Sequence, residues 1–341
     1  MSNEEAKYIE RKNVTFCPYS KVHTLSFYVL DNTENDIDSN IIVTNKELFK
    51  SDLPIPEGVY DAHMGTTDHV WLCETCGNNK SECPGHPGSA VLNYPVKNPL
   101  FREFILKWLK VICFKCGGIL SDKKIKAAKS KLLTEYVKIS RAINTCRHCN
   151  EPHPLVSKDK FEQAIFYVEY TGSKFKAKEE LYNHEIKSIL EKISDETVLF
   201  MGKPLRSHPK KFILSTIRIA PNTIRPDIRR IGGNRSNNSD ITALTKNIIE
   251  INELLPANIP EKGKIDKELR EMYFNLDMTY YEMIKGSSGS NNQVRMITNT
   301  NKTPNSIANR IPKKEGRIRN NLMGKRVRYM MRSVNTMAGN R

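Results

Sequence analysis

Residues 73–86 read CETCGNNKSECPGH, and the four potential ligands in that stretch, Cys73, Cys76, Cys83 and His86, decide how the rest is read. Their spacing is C-x2-C-x6-C-x2-H. A second set, Cys113, Cys116, Cys146 and Cys149, follows at C-x2-C-x29-C-x2-C. A Cys-x-x-Cys knuckle presents two thiolates to one ion, and zinc takes four such ligands tetrahedrally. Eight ligands make two complete shells, neither with a position left for water or substrate. The expectation is therefore two structural Zn2+ ions and no catalytic metal. A redox dithiol is the other reading of any single pair, but two pairs joined by Cys83 and His86 fit it poorly. Cys17, the remaining cysteine, reads as a small, buried or semi-buried side chain. His148 and His153 lie close to the second set, where four cysteines already suffice. His63, His69 and His208 read as surface or hydrogen-bonded residues.

Composition narrows the class. Only 38% of the 341 residues are hydrophobic, which points to an elongated or lobed shape. Formal net charge is +16 and the isoelectric point is about 9.4, which points toward a polyanionic partner, with a solvated basic surface as the equal alternative until the distribution of charge is considered. The charge is uneven: residues 310–341 carry ten Lys/Arg and one Glu, so +9, and the other 309 carry +7. No window of about 18 or more apolar residues exists, so no membrane span is expected. The opening MSNEEAKYIERK is unlike a signal peptide, and knuckle-paired cysteines imply a reducing compartment. No phosphate-binding glycine motif and no nucleophile–base arrangement stands out, so no catalytic residue is assigned.

The pattern along the chain is mixed α+β. A helix is predicted from Asn98 to Ile112, capped by Asn98, with Phe101, Phe104, Ile105, Trp108, Leu109 and Ile112 on one face. It runs into the Cys113–Cys116 knuckle. The Lys-rich gap before Cys146 reads as helical. Alternation predicts strands within 161–170 and over Ile213–Ala220, the latter stopped by Pro221. Glu179 to Ile193 reads as a helix with Leu181, Ile186, Ile189 and Leu190 inward. After a Gly/Asn/Ser/Arg loop at 229–239, Asp240 caps a helix whose Ile241, Leu244, Ile248, Ile251 and Leu255 form a narrow coiled-coil seam. A second helix over about 265–285 follows a short Pro/Gly turn, and an antiparallel hairpin is the simplest arrangement. Residues 286–306 read as a second loop.

The order of these parts resembles the N-terminal region of the largest subunit of multisubunit DNA-dependent RNA polymerases. Four stretches carry the resemblance. Asp61-Ala-His-Met-Gly-Thr-Thr-Asp68, leading through Cys73-Glu-Thr-Cys76 to Glu82-Cys-Pro-Gly-His-Pro-Gly88, resembles the family's first clamp zinc motif. Trp108-Leu-Lys-Val-Ile-Cys-Phe-Lys-Cys-Gly117 resembles the start of the second. Ile224-Arg-Pro226 resembles the end of the segment before the lid loop. Lys314-Glu-Gly-Arg-Ile-Arg-Asn-Asn-Leu-Met-Gly-Lys-Arg-Val327 is very close to the switch segment beside downstream DNA and the RNA–DNA hybrid. The wording is most similar to subunits of large cytoplasmic DNA viruses.

The resemblance implies a zinc-stapled clamp head and clamp core that close over DNA, an elongated, multi-lobed α+β structure. Its parts would be 1–96, the clamp core start with the first zinc site; 97–160, the clamp head with the second; and 161–226, the core continued. Residues 227–309 would hold lid, helical hairpin and rudder, and 310–341 the basic switch segment. Lid and rudder would be about 227–244 and 288–303. Nucleic-acid contacts would come from Arg310, Lys313, Lys314, Arg317, Arg319, Lys325, Arg326 and Arg332. Partners would be template DNA, the RNA–DNA hybrid, the second-largest subunit, the rest of the largest, and transcription factors docked on 240–285. A cytoplasmic location is expected if the source is viral and a nuclear one if it is cellular. Two departures stand out. After Gly324-Lys-Arg-Val327 the family continues Asp-Phe-Ser-Ala-Arg-Thr-Val, whereas this chain reads Arg328-Tyr-Met-Met-Arg-Ser-Val334. The family's Asn-Ala-Asp-Phe-Asp-Gly-Asp loop is not in these residues. Mg2+ would then bind only in the complete polymerase, and this chain alone should be inactive as a nucleotidyltransferase. It would be a fragment, a split subunit or one piece of an interrupted gene. The other reading is a stand-alone zinc-stabilised nucleic-acid-binding protein derived from such a subunit.

Overall fold

The structure, a computed structural model, describes residues 29–50, 53–67, 71–121, 131–159, 165–170, 178–226, 228–229, 236–260, 265–286, 305–324, 327 and 329–331. The seven α-helices among them are α1 (Asn32–Ile37), α2 (Arg102–Leu109), α3 (Leu132–Ser140), α4 (Asn183–Glu191), α5 (Asp195–Phe200), α6 (Asp240–Leu254) and α7 (Lys267–Lys285). The strands are β1 (Phe49–Lys50), β2 (Leu53–Pro54), β3 (Gly88–Lys97), β4 (Leu155–Lys158), β5 (Phe166–Glu169), β6 (Glu179–Leu181), β7 (Ile213–Ile219), β8 (Ile228–Arg229) and β9 (Ser236–Asn237). They pair antiparallel as β1–β2, β3–β7, β4–β5–β6 and β8–β9.

One core gathers around α2. Its Ile105, Leu106, Trp108 and Leu109 pack with Tyr136 of α3, Phe166 of β5 and Ile186 and Leu190 of α4. Burying a side chain of this size stabilises by about 1.5–3 kcal/mol. The helix is shorter than its apolar spacing predicts. Asn98 does not cap it: its side-chain oxygen accepts from Leu100 N–H in the turn before, and Phe104 stays 40% exposed. The segment predicted as one helix from Glu179 splits. Residues 179–181 complete the three-stranded sheet instead, Leu181 opposite Phe166, because that edge position buries Leu181. The helix then starts at Asn183, where Glu185 accepts from Tyr182 N–H at 2.9 Å.

A second core joins β3 and β7 to α6 and α7. From Val91 to Val96 the partner on β7 advances only from Thr216 to Leu214, so residues 92–95 bulge, with Pro95 lacking an N–H to offer. The bulge seats the helices. Asn93 N–H donates to Asn252 Oδ1 at 2.7 Å, Asn252 Nδ2 returns to Val91 O at 3.0 Å, and Tyr94 stacks on Tyr273 at 3.7 Å. Packing on β3 widens the buried face of α6 beyond the predicted seam: Thr242, Thr245 and Ile249 are buried as well, and Ile251 only partly. Asp240 is not the cap of α6; Ser239 holds that position, and Asp240 Oδ2 accepts from Asn305 N–H at 2.8 Å.

A buried ionic cluster lies between the two cores. Asp277 of α7 accepts from Lys97 N–H at 2.9 Å and Arg102 Nη2 at 2.9 Å, with Lys97 Nζ at 3.4 Å. Lys97 Nζ also bonds Asn183 Oδ1, and the Arg102 guanidinium stacks on Tyr281. Burial lowers the Lys97 pKa, and Asp277 opposes the shift. No helix among the described residues is long and apolar enough to cross a membrane.

Candidate metal centres and nucleic-acid interface

Three Cys-x-x-Cys turns in this chain share one backbone design. In each, the first cysteine's N–H donates to the carbonyl five residues on, and its carbonyl accepts from the N–H four residues on. The partners are Asn78 and Gly77 for Cys73, Gly118 and Gly117 for Cys113, and Glu151 and Asn150 for Cys146. The residue four along takes a left-handed φ each time: +67° at Gly77, +72° at Gly117, +55° at Asn150. Such a turn points both sulfurs inward, and only Gly or Asn adopts that φ readily. A Cβ at residue 117 would lie 2.2 Å from Lys192 O, so glycine is required there. Antiparallel bridges, Ile112 to Ile119 and Thr145 to Pro152, flank the two knuckles of the second set.

Both predicted ligand sets converge. The donor atoms of Cys73, Cys76, Cys83 and His86 all lie within 4.8 Å of one another, and so do those of Cys113, Cys116, Cys146 and Cys149. A tetrahedral zinc with bonds of ~2.3 Å separates its sulfurs by ~3.8 Å. Cys113 and Cys149 sulfurs are 3.5 Å apart, Cys116 and Cys146 3.6 Å. His86 Nε2 is buried without a hydrogen-bond partner, as a ligand atom would be. Protons alone serve the sites badly. Burial pushes the Cys113 thiol up to about 12 and raises Cys73 and Cys116. The adjacent His86 side chain draws Cys76 down to about 7. Burial opposes ionisation of Cys146, but the N–H groups of Cys149 and His148 and the adjacent thiols bring it to about 7. A divalent cation would ionise all of them. The donor sets thus fit such an ion.

The loop around the first set is held by groups the spacing alone does not reveal. Asp61 accepts from Glu57 N–H at 2.6 Å and His63 N–H at 2.8 Å. Asn222 Nδ2 donates to the carbonyls of Asp61 and Gly65, each at 2.8 Å. Arg225 is fully buried. Its guanidinium reaches Ala220 O, Val59 O and Asn222 Oδ1 and lies over the Tyr60 ring. The Ile224-Arg-Pro226 string is therefore a tie between the first ligand loop and the start of α6, where Thr242 Oγ1 accepts from Arg225 at 3.5 Å. His63 and His208 are hydrogen-bonded, His63 Nδ1 to Asp61 at 2.8 Å and His208 Nε2 to Ile193 O at 3.1 Å. Cys17 and His69 lie outside the described residues.

The basic segment starts from a fixed base. Asn305 N–H reaches Asp240, Ile307 N–H donates to Met283 O at 3.0 Å, and Arg310 donates to Ile224 O at 2.8 Å and Ser239 Oγ at 3.0 Å. Arg310 is thus tied to distant protein acceptors, unlike Lys313, Lys314 and Arg319. Beyond it, residues 317–322 are helical: Met323 N–H donates to Ile318 O, five residues back, at 2.9 Å. Gly316 permits this, since a Cβ there would lie 2.0 Å from Pro312 O. Lys313, Lys314, Arg317 and Arg319 are all exposed. Lys325, Arg326 and Arg332 lie outside the described residues, as do most residues of the predicted loops at 229–239 and 286–306. The ends of the first loop pair, Ile228 with Asn237 and Arg229 with Ser236.

The family described as RNA polymerase Rpb1, domain 1, matches residues 19–322. The DNA-directed RNA polymerase RPB1 homolog of African swine fever virus is 33% identical over 336 residues, covering 94% of this chain and 22% of the viral protein. Subunit Rpo1N of Methanocaldococcus jannaschii is 31% identical over 309 residues, 86% of this chain and 22% of that protein. The RNA polymerase II subunit RPB1 of Euplotoides octocarinatus is 28% identical over 342 residues, 93% of this chain and 70% of its own. The chain spans 22% of the length of the viral and archaeal relatives. With 304 residues matched in a single block, it belongs to the Rpb1 domain 1 family, the N-terminal region of the largest subunit of DNA-directed RNA polymerase.

Proposed function

We propose that this chain is the clamp portion of a DNA-directed RNA polymerase and binds template DNA and the RNA–DNA hybrid during transcription. One observation carries the reading: Lys313, Lys314, Arg317 and Arg319 are exposed on a segment whose base is tied to α6, α7 and Ile224. Cations on such a base can neutralise phosphates without reading sequence, as an enzyme moving along any template requires. Lys325, Arg326 and Arg332 belong to the same basic run of sequence and would add further contacts.

In this reading each ligand set holds one Zn2+, a structural ion that fixes the shape of the head and takes no part in chemistry. Helices α6 and α7 act as an antiparallel hairpin for transcription factors. Residues about 227–244 and 288–303 serve as lid and rudder. The second-largest subunit and the rest of the largest complete the enzyme, together with its Mg2+ site. Nucleotide addition belongs to that assembly, in the cytoplasm if the source is viral. The test is photo-crosslinking from a benzoylphenylalanine at position 319 in the assembled polymerase. Crosslinks to DNA or hybrid are expected. Crosslinks to protein alone, or a chain that purifies with no polymerase subunit, would refute the reading.

A further inference from the structure

One guanidinium joins the base of the basic segment to both roots of the β8–β9 pair. Arg310 Nη1 donates to Ile224 O at 2.8 Å, and its Nη2 donates to Ser239 Oγ at 3.0 Å. Ile224 precedes the β8–β9 pair and Ser239 follows it. Asn305 N–H adds a second tie, to Asp240 Oδ2 at 2.8 Å.

The grip draws on α6. Ser239 is the N-cap residue of that helix, yet its side chain accepts no hydrogen bond from the first turn. An N-cap serine ordinarily accepts from the N–H two or three residues on, here Ile241 or Thr242. The hydroxyl is turned to Arg310 instead. Arg310 Nε is itself buried with no hydrogen-bond partner. Held in this way, the region forgoes both the cap and the Nε bond. Broken local rules of this kind concentrate at functional or strained sites.

We propose that Arg310 is a positioning residue: it sets the β8–β9 pair and the exposed Lys313, Lys314, Arg317 and Arg319 in one fixed relation, and it meets no phosphate itself. Its use in nucleic-acid binding rests on the function proposed above; the clasp itself does not. Arginine suits the task, because its planar fork reaches two acceptors at once in a fixed geometry, whereas an ammonium is a point charge.

The full, metal-loaded chain would carry spin labels on ketone-bearing residues at positions 236 and 320, which spares the metal-binding thiols. One narrow distance is expected in the parent and a broad distribution in Arg310→Gln, with Arg310→Lys restoring it only in part. In Arg310→Gln the freed Ser239 hydroxyl should cap α6, so the Thr242 amide should exchange about fivefold more slowly. That slowing should vanish when Ser239→Ala is added. A residue that merely held the fold would speed this exchange when removed. Affinity for duplex DNA should fall severalfold in Arg310→Gln while the slope of log affinity against log salt stays unchanged. A single narrow distance in Arg310→Gln, no slowing at Thr242, or a slope reduced by about 0.9, the mark of a lost phosphate contact, would overturn the proposal. If the parent bound no DNA, the function proposed above would fall, and the distances and exchange rates would still decide the clasp.

Discussion

Lys97, Arg102 and Arg225 are buried, while Lys313, Lys314, Arg317 and Arg319 are exposed, and the two groups of cations have different surroundings. The buried ones serve the protein itself. Lys97 and Arg102 share Asp277 between two cores, and Arg225 binds carbonyls around the first ligand loop. Burial lowers the Arg225 pKa only to about 10, so it remains charged at neutral pH. Of the exposed ones, Arg317 meets only Asn321 Oδ1, four residues on, at 3.4 Å, and Lys313, Lys314 and Arg319 leave their charged groups to solvent or a ligand. Arg310 stands between, at the base of the segment, its guanidinium bonded to Ile224 and Ser239. High net charge therefore does not by itself mark a binding surface; the acceptors around each cation do.

The largest effect should come from the buried side, through the metals. Structural zinc contributes about 10–16 kcal/mol in isolated zinc peptides, most of it folding free energy. Removal of metal by a chelator should open 73–86 and 113–149 to protease. Retained resistance there would show that the knuckles hold without an ion. Asp277→Ala comes next: two cations left unpaired in a dry site should cost about 3–5 kcal/mol in urea unfolding. A loss within about 0.5 kcal/mol would mean that the cluster is solvated. DNA affinity of the folded variant should stay unchanged, which separates the two groups of cations.

A smaller effect concerns acid. Burial lowers the His153 pKa from 6.5 to about 4. A depressed folded pKa favours the neutral ring. Its contribution is complete above about pH 6.5 and is lost as pH falls toward 4, with a slope of at most about 1.4 kcal/mol per pH unit. His153→Gln should flatten that limb of the stability profile; an unaltered limb would assign it to other groups. Smallest of all, replacing Lys313, Lys314, Arg317 and Arg319 by Gln should shift stability by no more than about 0.5 kcal/mol. A larger loss would show that these side chains hold the fold.

The convergence of the two Cys/His sets was legible in the sequence, because each Cys-x-x-Cys turn brings two sulfurs together at a short, fixed spacing. So were the strand ending at Pro221 and the two long helices, whose apolar repeats are regular. Other features depend on partners distant in sequence. Nothing local tells Leu181 that Phe166 lies opposite, so 179–181 reads as helix although it is strand. Nothing local marks Asp277, which meets residues about 180 positions earlier. Arg310 and Arg317 look alike in a basic run, and only Ile224 and Ser239 distinguish them. The left-handed turn at Asn150 could have been anticipated: Gly77 and Gly117 hold the same place after their cysteines, and Asn is the other residue that adopts that φ.

The most direct test of the division between cations is the salt dependence of DNA binding by the full chain, measured beside the Lys313/Lys314/Arg317/Arg319→Gln variant. Each phosphate that the variant no longer neutralises should reduce the slope of log affinity against log salt by about 0.9, so four such phosphates should reduce it by up to about 3.6. An identical slope in both proteins would contradict the assignment of the exposed cations to nucleic acid.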